Sequence, residues 1–138
     1  MTLLDAYALV AFLAGGPAAA QVRGILRDGD ASVATANLAE ALDVSQRLYG
    51  IKVERAMDLL DPIFGTALTS VPLDLAKARR AAEIRGRHHH RATRPISLAD
   101  AILIASAAPG DRIATADPDV LAVAEAEGIE TIPLPGQG

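Results

Sequence analysis

Acidic side chains recur along this chain where secondary structure should change hands. Asp5 follows the strand-like Thr2-Leu3-Leu4 and precedes an apolar helical run. Asp117 and Asp119 follow another strand-like stretch, Arg112-Ile113-Ala114, and Asp100 lies three residues after Ser97 at the head of an apolar helix. Glu40 falls in the second turn of a predicted helix. Each has an ordinary reading: Asp is a preferred helix N-cap, Ser97 with Asp100 spells a capping box, and an acid in a helix's first turn gains ~0.3–1 kcal/mol from the macrodipole. Taken together they predict more. If the strands are parallel, their C-terminal ends share the edge where open α/β sheets bind ligands. Carboxylates converging there without equal basic partners repel one another, and a divalent cation resolves the conflict. All-oxygen sites of this kind suit the hard ions Mg²⁺ and Mn²⁺, which activate water for attack on a phosphodiester.

The elements that must position these acids can be read from the chain in order. The first helix, Ala6 to Ala14, is stopped by Gly15-Gly16, and a second runs from Pro17 to about Arg27. Ala31 to Ala34 is a short strand, and Thr35 is expected to cap a helix from about Ala36 to Tyr49 that turns Leu38, Leu42 and Leu48 toward the core. A helix from Val53 to Leu60 is closed by Asp61-Pro62, because the residue before proline is pushed out of helical geometry. Thr66 to Val71 reads as a strand, about Asp74 to Arg87 as a long helix, and Ser97 to Ala107 as an apolar one. After Pro109-Gly110-Asp111 come the strand Arg112 to Ala114, a helix reaching about Glu127, a short strand Ile129 to Ile132, and a Pro/Gly tail from about 133. Strands alternating with helices predict an α/β protein: a three-layer α/β/α sandwich on a mainly parallel sheet.

A length of 138 residues predicts a single domain, 1–138. The hydrophobic fraction is 51% but aromatics are only 3%, so the core must be aliphatic and alanine-rich. No cysteine is present, which removes disulfides and thiolate metal sites and fits a reducing compartment such as the cytoplasm. No signal peptide is expected, and no apolar run approaches the ~20 residues of a membrane span. Net charge is −4, which argues against binding of nucleic acid by overall attraction alone and leaves that role to local basic patches.

Four stretches, in this order, carry a resemblance. Leu3-Leu4-Asp5 with Ala8-Leu9-Val10, then Asn37-Leu38-Ala39-Glu40, then Ser97 through Ala105 around Asp100, then Ile113-Ala114-Thr115-Ala116-Asp117-Pro118-Asp119 together resemble the PIN-domain ribonucleases, and among those the VapC toxins of bacterial toxin–antitoxin pairs. The resemblance implies a PIN-like fold, Mg²⁺- or Mn²⁺-dependent endoribonuclease activity, a homodimer and a VapB-like antitoxin. Carried over by position, it implies catalytic roles for Asp5, Glu40, Asp100 and Asp117, with Asp5, Asp100 and Asp117 as metal ligands and Thr115 and Asp119 in support. Ala6 departs from the pattern, since members often carry Thr or Ser after the first Asp.

The stretch Arg85 to Arg94 contains Arg85, Arg87, Arg91 and Arg94 around His88-His89-His90. Three adjacent histidines cannot all face one ion on a helix, so a basic rim gripping RNA phosphates is the functional reading and a solvated loop the structural one. Two rival classes follow from the acids. A phospho-acceptor receiver domain would need a lysine late in the chain, whereas the last is Lys77. A degenerate PIN-like module that binds protein or metal without cutting RNA has only Ala6 in its favour.

Overall fold

The computed structural model describes residues 1–136; Gln137 and Gly138, the end of the expected tail, lie outside the described residues. Five strands, β1 (Thr2–Leu4), β2 (Ala31–Ala34), β3 (Leu68–Val71), β4 (Arg112–Thr115) and β5 (Glu130–Pro133), form one sheet in the order β3-β2-β1-β4-β5. Every pairing is parallel. Seven helices connect them among the described residues: α1 (Ala6–Ala14), α2 (Ala19–Arg27), α3 (Thr35–Tyr49), α4 (Val53–Leu60), α5 (Leu75–His88), α6 (Leu98–Ala105) and α7 (Pro118–Ala126).

Alternation along the short central strands makes the layers. Leu4 and Ala114 face one core with Leu9, Val22, Leu26 and Leu60, drawn from α1, α2 and α4. Leu3 and Ile113, one residue earlier in each strand, face the other with Ile84, Leu103 and Val123 from α5, α6 and α7. A sheet with both faces covered needs strands apolar on both sides, and β1 is buried throughout. The three-layer sandwich expected from the alternation is therefore the fold.

Three local expectations change. Thr35 does not cap α3: β2 passes directly into the helix, so Thr35 already has helical backbone, and Ala34 occupies the cap position with no side-chain bond. Leu48 is not a core residue but 67% exposed. The buried face of α3 is Asn37, Ala41 and Ser45, and the helix, fifteen residues long, continues past the elements that would cover its last turn. Several ends also move: α2 starts at Ala19 rather than Pro17, β3 at Leu68 rather than Thr66, and α6 stops at Ala105. Gly50, at φ 66°, closes α3 in the left-handed conformation that glycine adopts without steric cost. No single helix among the described residues is long and apolar enough to cross a membrane.

Leu103, fully buried in the second turn of α6, and Leu75, 87% exposed on α5, are an internal contrast. Leu103→Ala should lower unfolding free energy by about 2–5 kcal/mol and Leu75→Ala by less than about 0.5 kcal/mol, as read from denaturant midpoints at constant m-value.

Candidate active site

In the order β3-β2-β1-β4-β5 the chain leaves β1 in one direction to reach β2 and later returns to β1's other side as β4, so the switch point of the sheet lies between β1 and β4. Asp5 ends β1 and Asp117 follows β4, one on each side of it. A cleft of about 510 Å³ opens there, and Asp5, Glu40, Asp100 and Asp117 all line it. No Lys, Arg or His is among its lining residues.

Three of the four acids are held by the start of a helix. The Ala8 amide donates to Asp5 Oδ1 at 2.8 Å, making Asp5 the N-cap of α1. The Asp119 amide donates to Asp117 Oδ1 at 2.8 Å, making Asp117 the N-cap of α7. At α6 the capping box is complete: the Asp100 amide donates to Ser97 Oγ and the Ser97 amide to Asp100 Oδ2, both at 3.0 Å. Glu40, one turn into α3, has no such tether among the described residues. Thr115 joins the two strands' acids, since its hydroxyl donates to Asp5 Oδ2 at 2.5 Å while its Oγ1 accepts the Asp117 amide at 3.1 Å. The hydroxyl that Ala6 lacks is thus supplied to Asp5 from across the switch point. Asp119 does not line the cleft; its backbone serves Asp117, and its charge acts on Asp100.

The electrostatics follow from this crowding. Burial pushes Asp5 from the ordinary 3.8 up to about 6; bonds from Thr115 and Ala8 pull against it, and the charges of Asp100 and Asp117 add to it. Asp100 is raised chiefly by burial and further by Asp117 and Asp119, although its cap bonds oppose the shift. Glu40 is raised by burial and by Asp100.

Whether these residues fit a divalent cation is a question of donors. The set is all carboxylate, the groups repel, and every capped oxygen keeps a lone pair, which is the chemistry hard ions select. Among the described residues no three His, Asp or Glu side chains are drawn together tightly enough to ligate one ion as they stand.

The residues 2–132 match the family model for the PIN domain. The chain belongs to the PIN domain family. This PIN domain is similar to FitAcB from Neisseria gonorrhoeae, with 26% identity, TM-score 0.65, and coverage of 95% of this chain and 96% of that one. It shares its fold with DNA-bound VapBC from Salmonella typhimurium, at 16% identity, TM-score 0.66 and 96% coverage of both chains. It likewise shares it with a toxin–antitoxin complex from Klebsiella pneumoniae, at 15% identity and TM-score 0.65, covering 88% and 91%. No curated relative matches the chain.

The basic stretch of this PIN domain takes a different place from the acids. None of Arg85, Arg87, Arg91 and Arg94 lines the cleft. Arg85 Nε donates to the Ile96 carbonyl at 3.1 Å, Arg94 Nε to the His88 carbonyl at 3.0 Å, and Arg87 Nη2 to Glu127 Oε1 at 2.9 Å. The three imidazoles part company: His88 Nε2 lies 2.7 Å from Glu127 Oε2, His89 Nδ1 accepts the Ile96 amide, and His90 Nδ1 accepts those of Ala92 and Thr93. Arg91 is exposed. The sequence reading also missed residues that line the cleft: Tyr7, two positions after Asp5, and Leu48 and Tyr49 at the end of α3. The signal was the helical spacing of Glu40, Val44 and Leu48, which puts them along one flank.

Because burial raises Asp5, the native state keeps a proton that the unfolded chain sheds between about pH 3.8 and 6. Stability should therefore fall as pH rises through that window, the charged native carboxylate costing up to about 3 kcal/mol above it. In chelator, Asp5→Asn should be more stable than wild type at pH 7, with the gap closing near pH 4, as denaturant titrations across pH will read.

Proposed function

We propose that this PIN domain is a divalent-cation-dependent endoribonuclease, using Mg²⁺ or Mn²⁺, and the toxin of a toxin–antitoxin pair. The observation that carries the reading is the meeting of Asp5, Glu40, Asp100 and Asp117 on one cleft that has no basic side chain to neutralise them. Asp5, Asp100 and Asp117 would hold the cation, which when bound supplies hydroxide from water at neutral pH and offsets charge on the scissile phosphate.

The chain's own residues would do the rest. The Ala8 amide and Thr115 hydroxyl fix the Asp5 carboxylate in one orientation, and the caps of α6 and α7 do the same for Asp100 and Asp117, so the acids are oriented before substrate arrives. Glu40, the untethered acid with a raised pKa, is the group best able to accept a proton from the attacking water. No serine or cysteine nucleophile is required. Arg85, Arg87, Arg91 and Arg94 would contact phosphates away from the cut, Arg91 most readily, since the others are engaged within the chain.

The partner reading draws on the similar solved structures, which include a toxin–antitoxin complex and a DNA-bound VapBC. By analogy this chain would form a homodimer and bind a VapB-like antitoxin, acting on RNA in the cytoplasm. The competing reading, a non-cutting module, predicts that the carboxylates can be neutralised without consequence.

Purified protein, free of antitoxin, should cleave RNA only with Mg²⁺ or Mn²⁺ present. Asp5→Asn and Asp100→Asn should each reduce the rate at least about 100-fold while far-UV circular dichroism stays native. Cleavage at the wild-type rate by both variants would overturn the assignment.

A further inference from the structure

We infer that Asn37 is a positioning residue whose side-chain amide, bridging α3 to the first turn of α6, sets where the cation-holding Asp100 stands relative to Glu40 and with it the cation affinity of the cleft. The inference rests on the reading of that cleft as a cation site.

Asn37 is buried, with 1% of its surface exposed, and it does not line the cleft. Its Nδ2 donates to the Ala99 carbonyl at 3.3 Å. The orientation of the amide is set by that partner, because a carbonyl oxygen accepts only from the N–H₂ end. The bond's location gives it a role. Asn37 stands three residues before Glu40 on α3, so the two share a flank one turn apart. Ala99 is the residue before Asp100 on α6. The bridge therefore ties together the two backbones that carry these acids, next to the place where they repel each other: Asp100 is one of the two influences that raise Glu40, after burial.

Apolar packing alone would hold this junction loosely. The α3 side chain packed against the layer that contains α6 is Ala36, small and only partly buried, and contacts of small side chains are non-directional, so they resist separation better than they resist sliding. A hydrogen bond between the helices fixes their register. Asn37 contributes little else, since its Oδ1 finds no partner among the described residues and the amide is held by the Ala99 bond alone. Asn37→Leu takes a donor from the Ala99 carbonyl but also removes the buried, unpartnered Oδ1, so the two effects on folding oppose each other. Positioning and stability can therefore be separated.

Mn²⁺ binding to the full chain, measured by titration calorimetry, provides the test. Asn37→Leu and Asn37→Ala should weaken Mn²⁺ binding about 10-fold while denaturant unfolding remains cooperative. Ser45→Ala, which alters a fully buried hydroxyl on the same face of α3 two turns on, should bind as wild type does. Asn37→Ser carries the comparison if the leucine variant does not fold. Affinity within about twofold of wild type in the Asn37 variants overturns the positioning role and leaves the cation site standing. No Mn²⁺ uptake by the wild-type chain removes the cation site and this inference with it, and that result is read without any variant.

Discussion

Holding four carboxylates round one cleft works against their mutual repulsion and against the loss of water around the innermost of them. Asp5 shows both effects, with burial as the larger and the charges of Asp100 and Asp117 added to it. The surrounding architecture supplies the opposing force. Strands β1 and β4 are hydrogen-bonded side by side, so Asp5 and Asp117 cannot move apart without breaking the centre of the sheet. Leu3, Ile113 and Leu103, all fully buried, anchor those strands and α6 from behind.

The helix caps and the site are the same atoms put to two uses. An N-cap carboxylate already points one oxygen at the helix and leaves its other lone pairs facing the end of the helix axis, where the dipole favours negative charge. At Asp5 and Asp117, and in the capping box at Asp100, this sets the orientation of the acid. The ordinary structural reading of each acid and the functional reading of the group are therefore compatible: capping fixes the side chains that the cleft needs. Thr115 adds the link between the strands, its one hydroxyl serving Asp5 as donor and the Asp117 amide as acceptor.

The stretch from Arg85 to Arg94 has partners within the chain that its composition does not show. Glu127 at the end of α7 takes Arg87 and His88, and two carbonyls take Arg85 and Arg94. Its basic groups secure the join between α5 and α6 and the far end of α7. A local run of charge in sequence gives no account of the single acid, forty residues on, that engages it.

What the sequence determined by itself was local. The alternation of strands and helices, the caps at Asp5, Ser97 and Asp117, and the resemblance carried by the four acidic motifs were all legible, because periodicity, capping and turn chemistry act over a few residues. It missed where Leu48 goes, since a helix's apolar stripe continues in the letters whether or not another element is there to cover it. Only the tertiary structure decided that β1 lies between β2 and β4, and hence that Asp5 and Asp117, 112 positions apart, flank the switch point. Pairing between distant strands depends on how two helical layers fill both faces of one sheet, and no short window of residues contains that information.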